Sequence, residues 1–193
     1  MTKQNLLLLA FAIMAFLQLW LPAQTAIQHE NTLRKGEAFR FETVLVDPND
    51  PFRGKYIRLD FPRFTTDIEN TVQQELYAQI QQGQKVYCLV ANDERGYAQI
   101  KELQLEPPLA SAPYFPAKVS YIYYKNEKVE DITLSFPFER FYLEESKAPE
   151  AERRYNEAVR DSLQESYALV KIRKGMVVLE DVVVNGVSIV EVE

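Results

Sequence analysis

Tyr167-Ala168-Leu169-Val170-Lys171-Ile172-Arg173-Lys174-Gly175-Met176-Val177-Val178-Leu179-Glu180-Asp181-Val182-Val183-Val184-Asn185-Gly186-Val187-Ser188-Ile189-Val190-Glu191-Val192 decides the fold. It is a run of β-branched and apolar residues broken at two points. Asn-Gly between apolar runs is the strongest short hairpin signal, because both central residues of a type I′ turn need positive φ. Lys174-Gly175 marks an earlier tight turn. Three strands are expected, at Tyr167–Ile172, Val177–Val184 and Val187–Val192.

Working back along the chain, the pattern stays β. Strands are expected at Ala38–Val46, with Phe39, Phe41, Thr43 and Leu45 on one face, and at Lys55–Phe61. Two more run over Lys85–Ala91 and Tyr97–Leu105, around the turn Asn92-Asp93-Glu94-Arg95-Gly96. A hairpin from Lys118 to Ser135 turns at Lys125-Asn126-Glu127. Pro107, Pro108 and Pro113 mark a loop. Two segments read as helices. Asp67–Gln82 carries Ile68, Val72, Leu76 and Ile80 every four residues, with Gly83 as its stop. The other begins at Pro149, with Ala151, Tyr155, Val159 and Leu163 as its stripe. Seven to nine strands with two helices predict an α+β class: a single β-rich extracytoplasmic domain, a sandwich or barrel-like sheet.

The N-terminus differs in kind. Leu6–Ala23 is apolar apart from Gln18 and would span about 27 Å as a helix, close to a hydrocarbon core. It is longer than a normal signal-peptide core. Leu21-Pro22-Ala23 and Gln24-Thr25-Ala26 are poor cleavage sites, so a retained anchor is expected. Residues 24–35 lack helix breakers and extend the helix to Gly36. The expected organisation is a membrane anchor over 1–26, a helical stalk over 27–36 and the β-rich domain over 37–193. Lys3 before the span suits a cytoplasmic N-terminus, which places the domain outside the inner membrane; Arg34 and Lys35 follow the span and weigh against that orientation.

Charge and composition exclude several functions. The 193 residues carry a formal net charge of −6, and Lys3 is the sole charge before Gln28. No basic stripe with interleaved aromatics exists, so no nucleic-acid partner is expected. One histidine, His29, excludes a Ser-His-Asp triad in the β domain and His-rich metal sites. No dinucleotide fingerprint or Walker A loop is present. No cofactor and no metal are expected; a Ca²⁺ site at Asp47 and Asp50 lacks the D-x-D-x-D-G pattern. The lone cysteine, Cys88, lies in an apolar run and reads as a buried small hydrophobe.

Two clusters remain. Asp47-Pro48-Asn49-Asp50-Pro51-Phe52-Arg53-Gly54-Lys55-Tyr56-Ile57-Arg58-Leu59-Asp60-Phe61 reads as a rigid turn entering a strand, or as a binding edge built from Arg53, Tyr56 and Arg58. Arg53 is expected to organise it through bonds to Asp47, Asp50 or Glu139. Phe136-Pro137-Phe138-Glu139-Arg140-Phe141-Tyr142 sets Glu139 and Arg140 between aromatics. Two functions are carried forward. One is a binding or accessory module that meets another envelope membrane protein. The other is a carboxylate-based envelope hydrolase using Asp47, Asp50, Asp60 or Glu139.

Gly54-Lys55-Tyr56-Ile57-Arg58-Leu59-Asp60-Phe61, with its Asp-Pro lead-in and the Glu139-Arg140-Phe141-Tyr142 stretch, resembles the GDYXXLXY protein family. Lys55 stands where the motif has Asp, and Phe61 where it has Tyr. The first puts an essential acid at that position in doubt, and the second suggests that a ring suffices. The resemblance implies a bacterial membrane-anchored protein and brings no assigned activity.

Overall fold

The computed structural model describes residues 3–43, 56–67, 70–109, 112–142, 153 and 165–190. Helix α1 (Lys3–Lys35) runs unbroken for 33 residues, about 50 Å. Among the described residues its apolar window is not buried: Leu9, Phe16 and Leu21 are each at least half exposed. The helix passes through Pro22, which lacks the N–H that would bond the carbonyl four residues back. One 18-residue window has a mean hydropathy of 2.2, enough to cross a membrane.

The other end of α1 is built into the domain. Thr32 is 2% exposed, and its hydroxyl donates to the Gln28 carbonyl at 2.9 Å. Gly36 ends the helix, its N–H bonding the Thr32 carbonyl at 2.8 Å. A Cβ at Gly36 would overlap that carbonyl and lie 3.2 Å from both the Ile172 oxygen and the Lys171 Cβ. Glycine is therefore required by close approach between the helix end and the sheet.

That sheet has the order β1-β9-β10-β11. Strand β1 (Glu37–Glu42) pairs antiparallel with β9 (Ser166–Arg173), setting Phe39 opposite Val170. Lys174 and Gly175, with φ of 49° and 78°, turn β9 into β10 (Met176–Val184). Asn185 and Gly186, at 52° and 78°, make the next turn. The third strand is shorter than expected. Strand β11 covers only Val187–Ser188, and the Ile189 N–H returns to the Val182 carbonyl.

A five-stranded sheet has the order β3-β7-β6-β4-β5. Its members are β3 (Phe64–Thr65), β4 (Lys85–Asn92), β5 (Ala98–Gln104), β6 (Tyr114–Lys125) and β7 (Lys128–Ser135). Strand β6 begins four residues before the expected Lys118 and includes Pro116. That proline is tolerated because β7 pairs with β6 only from Lys118 onward, leaving one edge at Pro116 without a strand among the described residues. A two-stranded ribbon joins β2 (Tyr56–Arg58) to β8 (Arg140–Tyr142).

Inward side chains of the two larger sheets share one core. Phe41 meets Phe115 edge-on at 5.7 Å, and Phe136 and Phe138 complete an aromatic centre. The α+β class stands, with an N-terminal apolar helix followed by antiparallel sheets. Eleven strands are described, against the seven to nine expected; β3 and β8 are two and three residues long, too short to show a period.

The first domain helix departs most. Helix α2 covers Thr71–Tyr77, capped by the Asn70 side chain accepting from the Gln73 N–H at 3.1 Å. It ends before Gly83, whose φ of 84° serves a turn bonded to Val119. Val72, expected inside, is 76% exposed; Tyr77 and Ile80 are buried. The inward face carries Gln74, which donates to the Val129 carbonyl and accepts from the Val129 N–H, both at 2.9 Å. Satisfying a strand's polar edge outweighed the apolar period. Ile68, and the expected helix from Pro149 apart from Arg153, lie outside the described residues.

Candidate functional site

The two clusters singled out in the sequence meet as neighbouring strands. In the β2–β8 ribbon Tyr56 faces Tyr142, Ile57 faces Phe141 and Arg58 faces Arg140. The Leu59 N–H donates to the Glu139 carbonyl at 2.8 Å, which carries the pairing one step further. Leu59 is fully buried in the core. Backbone pairing thus brings Arg58, Leu59 and Asp60 beside Glu139 and Arg140.

Their side chains are engaged locally. The Glu139 carboxylate accepts the Phe136 N–H at 2.6 Å and closes the turn between them. Asp60 lies 3.6 Å from the Arg58 guanidinium, and both are substantially exposed, so the pair is worth little to stability. Arg140 is exposed. Asp47, Asp50, Arg53 and Gly54 lie outside the described residues. So does the Tyr56 side chain; its backbone is that of β2. Cys88 is fully buried, and burial pushes its thiol pKa up, as expected of a core residue and contrary to the needs of a nucleophile.

From Asp60 the chain runs into a cleft of about 370 Å³. Phe41 of β1, Phe61, Phe64, Phe136 and Ile100 of β5 give it apolar walls. Phe61, at the last motif position, is half-buried and packs 4.8 Å from Phe136 and 5.2 Å from Phe138. A ring at this position fills space between the ribbon and the sheets.

The rim is charged, and its two arginines are held differently. Arg95, in the β4–β5 turn, lies 3.4 Å from Glu42 and 3.4 Å from Asp93. Glu42, then Asp93, raises its pKa. Asp93 is the hub of that turn, accepting the Tyr97 N–H at 2.8 Å and the Arg95 N–H at 2.9 Å. The Tyr97 bond, followed by the others, holds its carboxyl below the ordinary carboxylate value. Arg63 instead stacks over the Tyr123 ring, 4.3 Å from its centroid. It has no carboxylate partner among the described residues.

The sequence reading missed Arg63, Asp93 and Arg95 as site residues. A usable signal was present in Phe61-Pro62-Arg63-Phe64, which sets a cation between two rings directly after the motif. Nothing local showed that residues near 41, 95 and 136 would close around it.

No curated protein and no solved structure matches the chain. The family model described as "GDYXXLXY protein" matches residues 18–182, which takes in the second half of α1, the β2–β8 ribbon, the five-stranded sheet and the other sheet as far as Val182 in β10. On that match the chain belongs to the GDYXXLXY protein family.

Proposed function

We propose that this chain is a single-pass binding or accessory module of the bacterial cell envelope. It is anchored in the inner membrane through residues 6–23, with its β-rich domain, residues 37–193, outside the cytoplasm. The cleft between β1, β5 and the segment after the motif meets another envelope membrane protein. One observation carries the reading: an apolar helix with its side chains exposed enters the domain without a break. A surface that apolar needs lipid or protein around it. Lys3 before the span supports the orientation.

The motif residues Arg58, Asp60, Glu139 and Arg140 border this surface through the ribbon. Arg53 organises residues 47–61 by bonding Asp47, Asp50 or Glu139. If that pair is partly buried, Arg53→Ala destabilises by about 2–4 kcal/mol, and Arg53→Lys, lacking the planar fork, does not restore it. Wild-type thermal melts in both variants refute this role.

The test of the function is co-purification from native membranes of the intact protein, combined with protease accessibility in spheroplasts. The domain is digested from outside, the intact mass retains the N-terminal helix, and a membrane protein co-purifies. Full protection, or a mature N-terminus near Gln24 or Ile27, overturns the anchored topology.

A further inference from the structure

The cleft has apolar walls and an imbalance of charge on its rim. Arg95 faces two carboxylates at 3.4 Å each. Arg63, which also lines the cleft, has no carboxylate within ion-pair distance among the described residues. Its guanidinium carbon sits over the Tyr123 ring, 4.3 Å from the centroid, and a guanidinium held on a ring face still carries N–H donors that suit a planar acceptor. Among the described residues, the opening therefore offers one cation without a carboxylate partner beside a pocket of rings.

The shape of the wall narrows the occupant. Strand β5 ends the five-stranded sheet, so one of its edges has no strand partner among the described residues. Ala98, Gln99 and Ile100 of that strand line the cleft. An extended peptide matches such an edge with its own amides, whereas an acyl chain offers no donors.

We infer that the cleft takes an extended segment of a partner protein that presents an apolar side chain to Phe61 and Phe136 and an adjacent carboxylate to Arg63. This inference rests on the reading of the chain as a binding module. It adds the chemistry of the partner: one aromatic or aliphatic anchor and one acid, close together. The acid is held by a charge-assisted bidentate bond, which a neutral amide cannot reproduce. The ring enters the apolar pocket and supplies affinity common to acid and amide.

The test uses the full chain in lipid nanodiscs, with isoleucine methyl groups labelled for NMR. The probes are N-acetyl-phenylalanine, its neutral amide, and decanoate. N-acetyl-phenylalanine is expected to shift the Ile100 methyl signal and to bind about tenfold more tightly than the amide. Arg63→Gln brings the two to equal affinity and leaves amide binding in place. Equal affinities in the wild type, or a preference that survives Arg63→Gln, overturn the carboxylate inference and leave the cleft as a binding surface. Decanoate binding more tightly than N-acetyl-phenylalanine overturns the peptide occupant. If neither peptide probe shifts Ile100, the cleft itself fails as a binding surface.

Discussion

The N-terminal two-thirds of α1 and the interior of the β domain are made of the same residue types and end in opposite environments. Leu21 is 66% exposed and Phe16 61%; Phe39 is 1% exposed and Phe115 0%. The difference lies in arrangement along the chain. In β1 and β9 buried side chains alternate with more exposed ones, so one face closes on a partner sheet. In Leu6–Ala23 they occupy every side of the helix, and a domain this size has no interior to surround them. The rest of α1 links the two surfaces, and the helix joins the sheet at Gly36. The first holds the domain together, and the second leaves its fold untouched.

The largest break in that contrast is expected at Phe41, whose ring touches Phe61, Phe115, Phe136 and Phe138. Phe41→Ala is expected to cost about 3–5 kcal/mol, read from denaturant unfolding of the domain. A loss below about 1 kcal/mol would show that the aromatic centre is not the core. Next comes the boundary. Gly36→Val drives a branched side chain into the Thr32 and Ile172 carbonyls and should cost about 1–3 kcal/mol. An unchanged melting temperature there would mean that the helix end is not fixed to the sheet.

A smaller effect comes from acid. The folded Asp93 carboxyl lies below its ordinary value of 3.8, chiefly through the Tyr97 N–H. The stabilisation is therefore full above about pH 4 and is lost as pH falls through the folded pKa. Wild type should lose more stability than Asp93→Asn between pH 5 and pH 3. Equal losses would remove Asp93 from the account of the β4–β5 turn. The smallest effect is expected in the anchor. Leu9→Ala should change the unfolding free energy of the domain by less than about 0.5 kcal/mol, because that side chain touches no part of it. A larger change would bring α1 into the core.

What could be read in advance was local. Asn185-Gly186 and Lys174-Gly175 specify their turns through backbone freedom at two adjacent residues. The β6–β7 turn was placed by the strands on either side, although Asn126 and Glu127 reach positive φ without a glycine. The face of α2 was misread because Gln74 turns inward to bond both backbone groups of Val129, 55 positions away. The cleft was invisible for the same reason. Its lining comes from residues 41–42, 61–65, 93–100 and 136, and the charge state of its rim depends on which carboxylates lie near which arginine. Pairing of the ribbon strands was equally unreadable, since β2 and β8 are separated by more than 80 positions and have three residues each.

The junction at Gly36 also determines how the domain explores its surroundings. The buried Thr32 lies nine positions beyond Ala23 along the helix, a rise of about 13 Å. With the apolar stretch in a bilayer, the domain rides just beyond the headgroups at a set height and with a set heading. A flexible leash would let it sweep a hemisphere; a post confines it to a disc parallel to the membrane. Encounters with other membrane proteins then become two-dimensional, and rotation of the helix becomes rotation of the cleft. Each residue added between Ala23 and Thr32 would swing the opening by about 100°, so that the heading returns only after nearly a full helical turn.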